Sequence, residues 1–216
     1  MTTPAAIDQM IDHQVRTWSV LEPDILAAMR HVPRELFVPA AWRSLAYADT
    51  AVPLASGKHM LTPMLVGRIL QTLAVRRGAQ VLEVGTGSGY LAACLAQLGG
   101  QVRSIELHAP LVAAARANLH AAGITGVSVH EGNGLELAGE PAFDTIVLTG
   151  SLPLYQPQFE QALRPGGRLF VVVGSGAVME ARLVQRLNSG QVRSSVLFET
   201  SLAALDHAPA PPAFEF

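Results

Sequence analysis

Residues 81 to 90 read Val-Leu-Glu-Val-Gly-Thr-Gly-Ser-Gly-Tyr, and they narrow the possible folds more than any other stretch. An apolar run (Val81, Leu82, Val84) stops at three glycines on alternate positions, Gly85, Gly87 and Gly89. An apolar stretch of helical character, Leu91 to Leu98, follows at once. The order is strand, tight turn, helix. Glycine in such a turn permits positive φ and lets a ligand lie against bare backbone. The helix start behind it offers N–H groups without intrahelical partners. A glycine-rich match carries weight only in context. Here Gln101 to Glu106 reads as a second strand, ending in a carboxylate 21 residues after Gly85. A doubly wound fold places there the acid that holds ribose hydroxyls. Packing alone would account for the glycines but not for that acid.

The alternation continues down the chain. A helix at 110–122 leads to a strand at 127–131, and a nearly all-apolar strand at 144–149 suits burial on both faces. A short helix at 156–163, a Pro165-Gly166-Gly167 turn and a strand at 168–173 come next. Residues 179–187 and 191–198 flank Asn188-Ser189-Gly190 and read as an antiparallel hairpin. The fold class expected is α/β, a doubly wound, mostly parallel seven-stranded sheet over residues 79–200. Residues 1–78 form a mostly helical N-terminal portion, with helical spacing over 7–15 and a helix opened by Pro23 and stopped by Pro33. A third helix runs over 63–74, with Thr62 as N-cap and Pro63 at its first position. Residues 46–61 read as a structured loop, residues 1–5 as a frayed end, and 201–216 as an Ala- and Pro-rich tail closing in Phe214-Glu215-Phe216.

A chain of 216 residues, half of them hydrophobic, can bury a real core. The net charge of −2, with no basic block, argues against nucleic acid as a partner. Cys94 is the sole cysteine, so no internal disulfide forms and a reducing compartment is expected. Neither a signal peptide nor the ~20 apolar residues of a membrane span are visible. The expectation is a soluble cytoplasmic protein with no membrane partner. Its oligomeric state is not constrained.

In an open parallel sheet, ligands sit outside the carboxyl ends of the strands. Thr86 and Ser88, Glu106, Gly132-Asn133, and Thr149 with Ser151 all fall at such ends. Asn133-Gly134 is also a turn signal in its own right, and both readings stay open. The dinucleotide fingerprint is Gly-x-Gly-x-x-Gly; this turn is one residue shorter. Glu83 precedes it, and no basic residue lies within it to meet a phosphate. A nicotinamide dehydrogenase is therefore disfavoured. A cationic cofactor fits better, and S-adenosylmethionine combines an adenosine, a sulfonium and an amino acid without phosphate.

At these residues the chain resembles a known group. Residues 81–173 look like the core of class I S-adenosylmethionine-dependent methyltransferases. Up to about residue 187 the whole chain resembles the protein-L-isoaspartate O-methyltransferase family. The resemblance rests on Leu82 to Tyr90, on Ala46-Tyr47-Ala48-Asp49 and on Leu163-Arg164-Pro165-Gly166-Gly167-Arg168-Leu169. Val32-Pro33-Arg34-Glu35-Leu36-Phe37-Val38-Pro39 is the segment most particular to that family. It implies an enzyme that methylates the carboxylate of isoaspartyl sites in damaged proteins, with S-adenosylmethionine as cofactor. The cofactor set it implies is Glu83, Gly85, Thr86, Gly87, Ser88, Gly89, Glu106, Leu107, Gly132, Asn133 and Thr149, with the third-strand loop near the adenine. No metal is expected.

Two departures matter. Asn133 stands where the family has an acid, although its amide oxygen can still accept from an amino group. The loop Gly57-Lys58-His59-Met60-Leu61-Thr62-Pro63 differs from the family's Gly-Gln-Thr-Ile-Ser-Gln-Pro. Leu61 falls on the serine, His59 on the threonine, and Thr62 is displaced by one. A carboxylate is already ionised at neutral pH, with a reference pKa near ~4, so no general base is needed. The site must orient the acceptor. Thr62 and His59 are the catalytic candidates. Against them stand an N-cap role for Thr62 and an ordinary loop position for His59. Slow or absent methylation of isoaspartyl peptides is expected, with cofactor binding retained. Two alternatives follow: a relative acting on another acceptor, such as a small molecule, or a cofactor-binding protein without catalysis.

Overall fold

The computed structural model describes residues 4–136 and 142–212. The first three residues and the closing Phe214-Glu215-Phe216 lie outside them. The N-terminal portion starts with helix α1 (Pro4–Met10), which passes into a π-helical turn at Ile11–Val15, and continues with α2 (Pro23–His31). The stretch read as a structured loop contains a two-residue antiparallel ladder, β1 (Val52–Pro53) with β2 (His59–Met60). Helix α3 (Pro63–Leu73) follows, with Pro63 at its start as expected.

The main sheet comprises β3 (Gln80–Val84), β4 (Gln101–Glu106), β5 (Val127–Glu131), β6 (Phe143–Leu152), β7 (Leu163–Val173), β8 (Met179–Arg186) and β9 (Val192–Thr200). Their spatial order is β5-β4-β3-β6-β7-β8-β9. The first five strands are parallel, and β8 and β9 form the antiparallel hairpin. Between strands run α4 (Tyr90–Gln97), α5 (Ala109–Ala121) and the short α6 (Gln158–Gln161). The chain leaves β3 towards β4 on one side and returns to β6 on the other. The crevice outside β3 and β6 is thus the switch point where such sheets bind ligands.

Strand alternation divides the core. Val81 and Val147 enter a cluster with Ile69, Leu70, Leu91 and buried residues of α1 and α2, so the N-terminal helices and one sheet face share a core. Leu82, Ile146 and Leu148 point to the other face, against Phe159 and Leu169. Two strands run longer than their apolar segments suggest. β6 continues to Leu152 through a register shift after Val147, and Pro165-Gly166-Gly167 lies inside β7 where its register with β6 jumps. Among the described residues no helix is long and apolar enough to cross a membrane.

Candidate active site

The glycine turn is shaped by what packs beneath it. Gly85 has φ +92°, and a Cβ there would lie 2.3 Å from Thr149 Oγ1. The Thr149 hydroxyl occupies that space and is 3.1 Å from the Val84 carbonyl and 2.6 Å from that of Gly85. Only glycine meets both demands, a left-handed φ and no side chain. The Gly87 N–H donates to Glu106 Oε2 at 2.9 Å, and the His108 N–H donates to Oε1 at 3.0 Å. Glu106 therefore fixes the glycine turn and its own following turn. A carboxylate has about four acceptor positions, so both oxygens retain capacity for ligand hydroxyls.

Glu83 lies fully buried under this turn. One oxygen accepts from Ser104 Oγ, which is also 2.5 Å from Thr86 Oγ1. The other, Oε1, has no partner among the described residues. Burial pushes the carboxyl up to about 8, the Ser104 hydrogen bond opposes the rise, and the Glu106 charge adds to it. The rise favours the protonated form, and a cation brought beside it would favour ionisation.

A cavity of about 500 Å³ opens above the turn at the switch point, within the range of small-molecule sites. It brings together Gly85, Gly87, Glu106, Leu107, Gly132, Asn133 and Thr149 with His59 and Thr62 of the loop. A smaller recess beside it is lined by Glu83, Thr86 and Ser88, with Gly85, Gly87, Thr149, His59 and Leu61. Gly89 lines neither: at φ +87° it starts α4, and a Cβ there would touch Ala115 of α5. Asn133 is engaged in its own turn, accepting from the Leu135 N–H and donating to Glu136, both at 3.0 Å. The Thr62 oxygen accepts from the Leu65 N–H at 3.4 Å, the N-cap arrangement. His59 is exposed.

Several contributors escaped the sequence reading. Arg34 is wholly buried and stacks 4.7 Å above the Tyr90 ring. Its Nε donates to the Ala46 carbonyl at 2.8 Å and its Nη2 to the Leu61 carbonyl at 2.7 Å. Burial lowers its pKa. The arginine thus clamps the loop backbone at Leu61. Its signal was a cation set in an apolar, proline-bracketed segment. Thr200 at the end of β9 and residues 201–206 of the tail form another cavity wall, and Asp206 meets Lys58 and His108 there. No local pattern announced that wall. Two carboxyls, spare acceptors on Glu106 and no basic residue in the glycine turn suit a ligand bringing hydroxyls and a cation rather than a phosphate.

Comparison with known proteins agrees with this geometry. The family described as protein-L-isoaspartate(D-aspartate) O-methyltransferase matches residues 5–206. The protein-L-isoaspartate O-methyltransferase of Koribacter versatilis is 39% identical over 90% of this chain and 89% of its own. That of Methylorubrum extorquens is 41% identical over 82% and 78%. Among solved structures, a protein-L-isoaspartate O-methyltransferase from Plasmodium falciparum, in complex with S-adenosyl-L-homocysteine, superposes with a TM-score of 0.78. It is 18% identical and covers 94% of this chain and 97% of its own, a likeness of fold.

Proposed function

Because the chain belongs to the protein-L-isoaspartate O-methyltransferase family, we propose that it transfers the methyl group of S-adenosylmethionine to the free carboxylate of isoaspartyl residues in proteins, and that residues 57–63 form the acceptor wall. The observation that carries this reading is Glu83, a buried carboxyl with an unpartnered oxygen, beneath a glycine turn and beside Glu106. In this assignment Glu83 faces the cationic amino-acid end of the cofactor and Glu106 its ribose hydroxyls. Leu107 and the Gly132–Asn133 loop border the adenine, and Gly85 and Gly87 let the ligand approach the backbone. Residues 1–78 cover the acceptor side, 79–200 hold the cofactor, and the tail contributes a wall.

When bound, S-adenosylmethionine supplies a methyl group on a positively charged sulfur, which leaves as a neutral thioether. The residues of the chain orient the acceptor and keep water out. An acceptor carboxylate attacks without a base, being ionised at neutral pH. Thr62 can serve as an orienting donor while it caps α3. A hydroxyl has one proton and two lone pairs; the cap uses a lone pair, so the proton is free for an acceptor oxygen. His59 and Lys58 are the other polar side chains of the loop that line the cavity, and Lys58 is engaged by Asp206. Met60, Leu61 and Leu65 make that wall apolar, which strengthens any charge-assisted hydrogen bond formed against it.

Leu61 in place of a serine favours a second reading, a relative that methylates isoaspartyl sites slowly or prefers another acceptor. Incubation with methyl-labelled S-adenosylmethionine and matched isoaspartyl and aspartyl peptides separates the two. Base-labile label on the isoaspartyl peptide alone supports the first. Label on neither, with the cofactor bound, supports the second.

A further inference from the structure

We infer that Asp206 latches the tail across the mouth of the main cavity and thereby sets how long the cofactor stays bound. The inference rests on reading that cavity as the cofactor's.

The tail is built onto the sheet here. The Ser151 N–H donates to the Ala203 carbonyl at 2.9 Å, the Leu205 N–H donates back to the Ser151 carbonyl at 3.0 Å, and Ser151 Oγ donates to Leu202 O at 2.9 Å. Leu205 lies over Gly150, where a Cβ would come within 2.9 Å of its side chain. A glycine at that position is what lets the tail seat. One residue further, Asp206 crosses between two banks of the cavity. Its Oδ1 is 2.6 Å from Lys58 Nζ on the β1–β2 turn, and its Oδ2 is 2.8 Å from His108 Nε2, two residues past Glu106. The Lys58 hydrogen bond, helped by the weaker one from His108, holds its carboxyl below the ordinary aspartate range against desolvation. All three residues line the cavity. Each carboxylate oxygen thus takes a partner from a different bank, and one side chain joins the acceptor loop to the turn after β4.

The latch is built to open. The side chains of Lys58, His108 and Asp206 are 30%, 25% and 37% exposed. The Lys58–Asp206 ion pair at such exposure contributes little and is screened by salt. The Ser151 bonds hold the rest of the tail when Asp206 lets go, so opening is local. Asp206 is a positioning residue: it acts on the cofactor by closing the wall around it.

The test is the dissociation rate of S-adenosylhomocysteine from the full chain, followed by stopped flow at low and high salt. Asp206→Asn is expected to release it about 3- to 10-fold faster, the scale of one partly exposed ion pair and one side-chain hydrogen bond. Salt should accelerate release from the wild-type chain and have little effect on the variant. Lys58→Met removes one of the two contacts, from the opposite bank, and should accelerate release by a smaller factor, with the double variant no faster than Asp206→Asn alone. Non-additivity of that kind marks a shared contact, which general loosening of the fold would not reproduce. Equal release rates for wild type and both single variants would overturn the latch while leaving the cofactor reading intact. Failure of the wild-type chain to bind S-adenosylhomocysteine or S-adenosylmethionine would overturn both.

Discussion

Glu83 holds one carboxyl oxygen against Ser104 and leaves the other without a partner among the described residues. Burial raises its pKa from an ordinary 4.5 to about 8. Between those values the folded chain binds a proton that the unfolded chain has released. Stability from this group is therefore complete below about 4.5 and is lost as pH rises through about 8. Glu83→Gln should flatten that slope, and urea unfolding of both proteins across the interval checks it. A cofactor ammonium beside Glu83 favours the ionised form, so affinity for S-adenosylmethionine should rise with pH over the same interval and fail to do so in Glu83→Gln. Calorimetry reads both. For Glu106→Ala, weaker cofactor binding by about 1–3 kcal/mol is expected, the scale of hydrogen bonds to a charged group. An unchanged dissociation constant would remove Glu106 from the ribose. Thr62→Val should lower the melting temperature through loss of the N-cap, worth about 1 kcal/mol. If Thr62 also orients the acceptor, kcat for methyl transfer falls while cofactor binding stays the same.

Among the elements, the loop at 57–63 depends on a residue far from it in sequence. Arg34 donates to the carbonyls of Ala46 and Leu61, so its fork sets the loop's height over the recess. Arg34→Lys keeps the charge and loses the planar fork. Equilibrium unfolding should show a cost of about 1–3 kcal/mol for carbonyls left without a donor. What was legible in the sequence divides along the same line. The β3 turn and Glu106 could be read because strand, glycine turn and strand-end acid are local signals. The limits of β4 and β5, 101–106 and 127–131, match the ranges read from the sequence for the same reason. β6 runs past the apolar 144–149 segment because Gly150 does not break it. The glycine stays in the strand because Leu205 needs a position without Cβ there. Arg34 and Asp206 act across 27 and 148 residues of sequence, and nothing in their neighbours encodes those partners.

At the scale of the molecule, the parallel sheet opens its crevice between β3 and β6, and three parts of the chain close around it: the β3 and β4 turns, the loop clamped by Arg34, and the tail held on Ser151. Family membership and this enclosure together make carboxyl methylation from S-adenosylmethionine the central claim. Leu61 lines the cavity; under the proposed assignment it sets an apolar side chain, in place of a hydroxyl donor, against the acceptor. Restoring 1.4 kcal/mol of transition-state interaction is worth ~10-fold in rate. The most direct measurement is the rate of labelled methyl transfer from S-adenosylmethionine to an isoaspartyl peptide, for the wild-type chain and Leu61→Ser side by side. The account predicts a measurable wild-type rate, confined to the isoaspartyl peptide, that rises about tenfold in Leu61→Ser. No transfer by either protein, with the cofactor bound to both, would contradict it.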